Sequence, residues 1–176
     1  MKDIPTNPSS CDPLGGVPGG SVHWMSPDWP LPPGVRALMS FRSGGHSTHP
    51  HTSWNLGTHV GDVVQAVEHN RERLSEVTGA HCIFLNQVHG IEVVRADWHT
   101  AQGLQADAVV SAQPLVACTI MVADCLPVLL VRKDARCVGA AHAGWRGLAA
   151  GVLESVVETM VSDAPSVHAS ELTAWM

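Results

Sequence analysis

The run VACTIMVADCLPVLLVRKDARCVGAAHAGWRGL, residues 116–148, constrains this chain more than any other stretch. Apolar runs bounded by Gly, Pro or charged residues read as buried strands. Strands are therefore expected over 115–122, 127–132 and 136–141. Cys125 and His142 sit where such runs give way to a polar residue, Pro or Gly, and His89 in NQVHG occupies the same kind of place upstream. At a strand end a side chain can leave the core and meet a ligand. The central expectation is that His89, Cys125 and His142 bind one metal ion and leave a coordination position free. Catalytic zinc takes three protein ligands plus a water, whereas structural zinc closes its tetrahedron with four. The spacings, 36 and 17 residues, resemble no zinc finger. A buried thiol with two satisfied histidines is thus the ordinary alternative. Asp124 is the expected partner behind the ligands.

Residues 1–33 hold eight of the twelve prolines and are expected to form a flexible N-terminal arm without chemistry. Residues 34–176 are expected to form one catalytic domain. GVRALMSF (34–41) alternates as a strand would and runs into a Gly-rich polar loop. Asp62 is placed as a helix N-cap, with Gln65 completing a capping box and Gly79 as the stop. Residues 81–88 and 91–95 are expected strands flanking His89, and 106–111 a short one. Residues 147–161 show one apolar helical face, and Leu172 and Trp175 mark a final strand. The strands come as neighbouring pairs (81–95, 115–141). The expected fold class is therefore α/β (α+β), with a mixed or antiparallel layered β-sheet and flanking helices.

With 10 Lys plus Arg against 16 Asp plus Glu, the net charge is −6, which disfavours a nucleic-acid partner. No apolar stretch is long enough to span a bilayer, and MKDIPTNPSS does not read as a secretory signal, so no membrane partner is expected. Five cysteines without a Cys-x-x-Cys pair argue against a disulfide framework and for a cytoplasmic location.

Two arginines and an amide are candidate substrate ligands. Arg146 stands between Gly144-Trp145 and Gly147 at an expected helix start, a place suited to an anion such as phosphate. Arg42 opens the Gly-rich loop, and Asn55 in WNLG offers an amide to a base or ribose edge, or else serves as a turn residue. His46, His49, His51 and His59 lie in or beside that loop.

These pieces resemble the YfiH-type family, variously called laccase-domain proteins, polyphenol oxidases, purine nucleoside phosphorylases and peptidoglycan editing factors. The matching motifs are RSGGHS (42–47), NLGTHVGD (55–62), NR (70–71), NQVHG (86–90), ADAVVS (106–111), VADCLPVLL (122–130) and AAHAGWRGLAAGVL (140–153). The resemblance implies zinc on His89, Cys125 and His142, the same three residues being catalytic. It also implies a phosphate and nucleoside pocket using Arg42 and Arg146. The implied activity is phosphorolysis of adenosine, inosine, guanosine and 5′-methylthioadenosine, with adenosine deamination. Asp124 and His59 are the candidate general acid or base. Two departures stand out: Phe41 replaces the family's Thr or Ser, and the family continues for about 70 residues more, so this chain is expected to be C-terminally truncated.

Three alternatives stay open. Cys125 could be the nucleophile of a cysteine hydrolase, a peptidoglycan-precursor editing enzyme included. A His₂Cys set could take Cu in place of zinc, as the polyphenol oxidase label suggests, although His49-Pro50-His51 is the one His-x-His pair. The last is an inactive remnant. The expected partners are purine nucleosides and phosphate, and the expected state is a monomer or weak homo-oligomer.

Overall fold

The computed structural model describes residues 22–162, 164 and 166–176. The expected arm therefore lies outside the described residues up to position 21. The described chain divides into two compact units.

The first unit takes in residues 22–27 and 38–70 of the described chain. Here β1 (Trp24–Met25) pairs antiparallel with β2 (Met39–Ser40), Trp24 facing Ser40. The strand expected over 34–41 thus shrinks to two residues, its first position, Gly34, having φ +88°. The loop that follows is organised by a buried polar residue, Asn70, on α1 (Val64–Thr78). Asn70 Nδ2 donates to Asn55 O at 2.8 Å, Ser47 Oγ at 3.1 Å and Ser53 O at 3.2 Å. Its Oδ1 accepts from His46 N at 2.8 Å. A loop with few ladder bonds needs such a node to satisfy its backbone. Asn70→Leu strands these partners, and we expect it to cost about 2–4 kcal/mol, read as a lower urea midpoint.

Asp62 does not cap α1. The first turn closes on Val63 O, which accepts from Ala66 N and Val67 N. Asp62 instead accepts from Asn55 and Val63 N. The hydrogen bond from Asn55, then that from Ser47, holds its carboxyl below the usual range.

The second unit comprises residues 28–37 and the chain from Arg71 onward. Its elements are β3 (His81–Ile83), β4 (Val93–Arg95), β5 (Ala108–Ser111), β6 (Val116–Cys118), β7 (Leu126–Arg132), β8 (Val138–Ala143), α2 (Trp145–Ala150), α3 (Val152–Ser162) and β9 (Leu172–Trp175). Five strands form one sheet in the order β4-β5-β8-β7-β9. β4 and β5 run parallel, and the other three pairings are antiparallel. The class is mixed, as expected.

Side-chain alternation buries both faces of that sheet. Ala108, Val110, Val128, Leu130, Ala141 and Ala143 pack with Val152, Val156 and Met160 of α3, a spacing of four that makes one helical stripe. Val109 and Ala140 face the other way, against Ile83, Leu85, Ala96 and Val116.

Three local expectations are corrected. β3 and β4 are not a hairpin, because β3 pairs parallel with β6 and β4 with β5. The single helix expected over 147–161 is two helices, broken at Gly151, whose φ of +102° lies in the left-handed region glycine favours. β8 extends through His142 to Ala143, beyond the expected end at Ala141.

Candidate metal centre

Strand register brings the sulfur and imidazole ligands together. Ala108 pairs with Ala141, so one step along the ladder Asp107 stands beside His142. Leu126 pairs with Ala143, so the next step puts Cys125 beside Gly144. Neighbours across a ladder share a face and touch. His89 arrives from the segment between β3 and β4, in a left-handed conformation (φ +62°) that is uncommon for a residue with a side chain.

Asp107 holds that conformation. Its carboxylate is fully buried and accepts from Val88 N at 3.0 Å, His89 N at 2.8 Å and Gly90 N at 2.7 Å. It also contacts His142 Nδ1 at 2.8 Å. Burial pushes the Asp107 carboxyl up. The hydrogen bonds from His142 and the three amides outweigh it and leave the group below the usual carboxylate range. A carboxylate facing Nδ1 keeps the proton there, so Nε2 of His142 is the free lone pair.

His89, Cys125 and His142 each offer one ligand atom, and these atoms lie within 4.8 Å of one another. Cys125 Sγ is 3.7 Å from His89 Nε2. Bonds of about 2.0–2.3 Å to a shared zinc place donor atoms about 3.3–3.8 Å apart, so the set fits a divalent cation after small adjustments. Space is kept by Gly144. A Cβ there would stand 2.7 Å from His89 Cδ2 and 3.0 Å from Cys125 Sγ. His142 is buried, Cys125 half-buried and His89 exposed, so the trio is open on the His89 side.

The surroundings are anionic. Burial, then the hydrogen bond to Asp124 and the charges of Asp124 and Asp107, push the Cys125 thiol up. An activated cysteine nucleophile needs the reverse. Asp124 contacts the Cys125 thiol at 3.5 Å. The role of partner behind the ligands, expected of Asp124, is filled by Asp107 toward His142. Asp107 was legible as a carboxylate alone in the apolar run ADAVVS, where burial demands partners.

Arg146 is exposed on α2, its guanidinium 5.3 Å from the Trp145 ring centroid. Arg42 and Asn55 belong to the first unit. Arg42 donates twice to Thr52 O, at 3.1 and 3.3 Å. Asn55 spends its N–H groups on Gly57 O and Asp62, and its Oδ1 accepts from Gly57 N. That is the turn role, made within its own loop.

Among relatives, the chain is 52% identical over 153 residues to a Pseudomonas aeruginosa protein named purine nucleoside phosphorylase, covering 87% of this chain and 60% of that one. It is 43% identical over 145 residues to the Escherichia coli purine nucleoside phosphorylase YfiH, covering 81% and 60%. A crystal structure of a Neisseria meningitidis protein matches with a TM-score of 0.79 at 43% identity, over 86% of this chain and 60% of that one. YlmD from Geobacillus stearothermophilus matches at 0.74 and 27% identity, over 92% and 62%. This chain thus spans about 60% of the length of these relatives. Residues 36–176 match the model described as multi-copper polyphenol oxidoreductase laccase, and the chain belongs to that family, the YfiH type.

Proposed function

We propose that this chain is a zinc-dependent purine nucleoside phosphorylase acting on adenosine, inosine, guanosine and 5′-methylthioadenosine, with adenosine deaminase activity. The observation that carries this is the convergence of His89, Cys125 and His142 beside Gly144, open on one side. The names of the relatives supply the substrate class.

When bound, a divalent cation supplies a Lewis-acid centre with a free position. Asp107 holds the His142 tautomer and the His89 turn. Arg146 binds phosphate, its guanidinium steadied by Trp145. The family resemblance assigns Arg42 to phosphate, and the WNLG pattern offers Asn55 to a base or ribose hydroxyl. Within their own unit Arg42 keeps N–H groups it does not spend on Thr52, and Asn55 keeps a lone pair on Oδ1. In phosphorolysis a phosphate oxygen attacks C1′ of the ribose and the purine leaves. In deamination water adds at C6 and the amino group leaves as ammonia, Asp124 moving the proton from the one to the other. His59, a residue of the first unit, is the other candidate named by the sequence.

A His₂Cys set suits copper as well as zinc, so metal analysis of purified protein decides between them. The raised thiol of Cys125 counts against the cysteine-hydrolase alternative. Free Cys82, Cys118, Cys125 and Cys137 fit a reducing cytoplasm. Among the described residues no helix is long and apolar enough to cross a membrane.

Purine release from inosine, with and without phosphate, tests the assignment. Release should require phosphate and fall at least about 100-fold in Cys125→Ser. Unchanged turnover in the mutant removes Cys125 from the site.

A further inference from the structure

The Cys125 ligand sits at the end of a segment with little backbone support. From Ile120 to Asp124 the chain is in neither helix nor strand. Among the described residues, the two hydrogen bonds that reach this backbone from elsewhere come from one side chain. Gln87 Nε2 donates to Met121 O at 2.7 Å, and Met121 N donates to Gln87 Oε1 at 2.9 Å. The primary amide thus copies one rung of a β-ladder, joining points 34 residues apart. Gln87 itself lies two residues before His89 and next to Val88, whose amide Asp107 holds. Met121 lies four residues before Cys125. The two ligand-bearing segments are therefore strapped together just upstream of both ligands. A second contact reinforces the strap: Arg71 Nη2 lies 3.9 Å from Met121 Sδ, and its guanidinium lies 4.3 Å over the Phe84 ring.

We infer that Gln87 is a positioning residue that sets the distance between Cys125 Sγ and the two imidazoles. This rests on the metal reading of the trio. Only a side chain carrying both a donor and an acceptor at this reach makes both bonds. Glutamate keeps the acceptor but faces Met121 O with a second oxygen, leucine keeps neither, and asparagine is one methylene too short.

The test uses cobalt(II) as the probe on the full chain. Wild type should show a thiolate-to-cobalt charge-transfer band. In Gln87→Leu the band should weaken at least twofold, and cobalt affinity should fall about 10- to 100-fold, with Gln87→Glu between the two. Amide exchange at Met121 in metal-free protein should speed at least tenfold in Gln87→Leu while core amides of β8 keep their protection. Unchanged Met121 exchange, or an unaltered band and affinity, overturns the inference. A wild type without the band, equal to Cys125→Ser, sinks the metal reading. Met121 exchange still decides whether Gln87 holds the segment.

Discussion

Asp107→Asn should reduce zinc affinity about 10- to 100-fold and stability by about 2–4 kcal/mol, although it changes one atom. Oδ2 accepts from Val88 N and Gly90 N, and Oδ1 accepts from His89 N and faces His142 Nδ1. An asparagine must place its NH₂ at one of these positions. At the first it opposes two amide N–H groups and opens the left-handed turn of His89. At the second it opposes His89 N and forces the His142 proton onto Nε2, the atom needed for the metal. Chelator competition reads the affinity, and nitrogen chemical shifts of the imidazole read the tautomer. The acid limb of stability should change too. The Asp107 carboxyl is lowered from 3.8 in the fold, so its contribution is complete above that value. It is lost as pH falls through the lower folded-state value. Asp107→Asn lacks that limb, so its stability should fall less between pH 4 and the acid transition than that of wild type, and an unchanged slope would count against the assignment.

Gly144→Ala should do the reverse, abolishing metal binding while sparing the fold. The backbone at Gly144 (φ −61°, ψ 154°) is one alanine adopts freely, so the substitution carries no conformational penalty. The added methyl meets the His89 ring at 2.7 Å and the Cys125 sulfur at 3.0 Å. His89 is held by Asp107 through its amide and cannot retreat as a unit, so its ring must rotate away. We expect at least about a 100-fold loss of zinc affinity, since one ligand is displaced outright. The unfolding midpoint should move by less than about 1 kcal/mol equivalent. Full zinc occupancy in the variant would show that the space beside Gly144 is not what admits the cation.

The ligand trio was legible because each member breaks an apolar run, and a strand end is a local property. What joined them was not local. Asp107 is followed by apolar residues like any strand residue, and only the pairing of Ala108 with Ala141 reveals that it stands beside His142. The parallel partners of β3 and β4 were hidden for the same reason. Sequence neighbours suggest hairpins, but β3 finds β6 across more than thirty residues. The β7–β8 hairpin, closed by a short charged turn, was predictable. The helix break was visible at Gly151, yet the continuous apolar stripe on both sides masked it. Asn70 lies on the same helical face as the buried Val67 and Leu74, and its buried polar role depends on a loop whose path no periodicity encodes. Asp62 had the spacing of a cap, but Asn55 competes for its carboxylate.

The alternation that buries both faces of the sheet also acts as a check on correct assembly. Ala141 and Ala143 point toward α3, so His142 between them points the other way. If β8 docked one residue out of step, every side chain would change faces, and an alanine would stand where the imidazole belongs. In such an isomer His142 would turn into the apolar layer against α3, away from Asp107, and the trio would not form. A cation held by the trio would therefore favour the correctly threaded chains over their misaligned siblings.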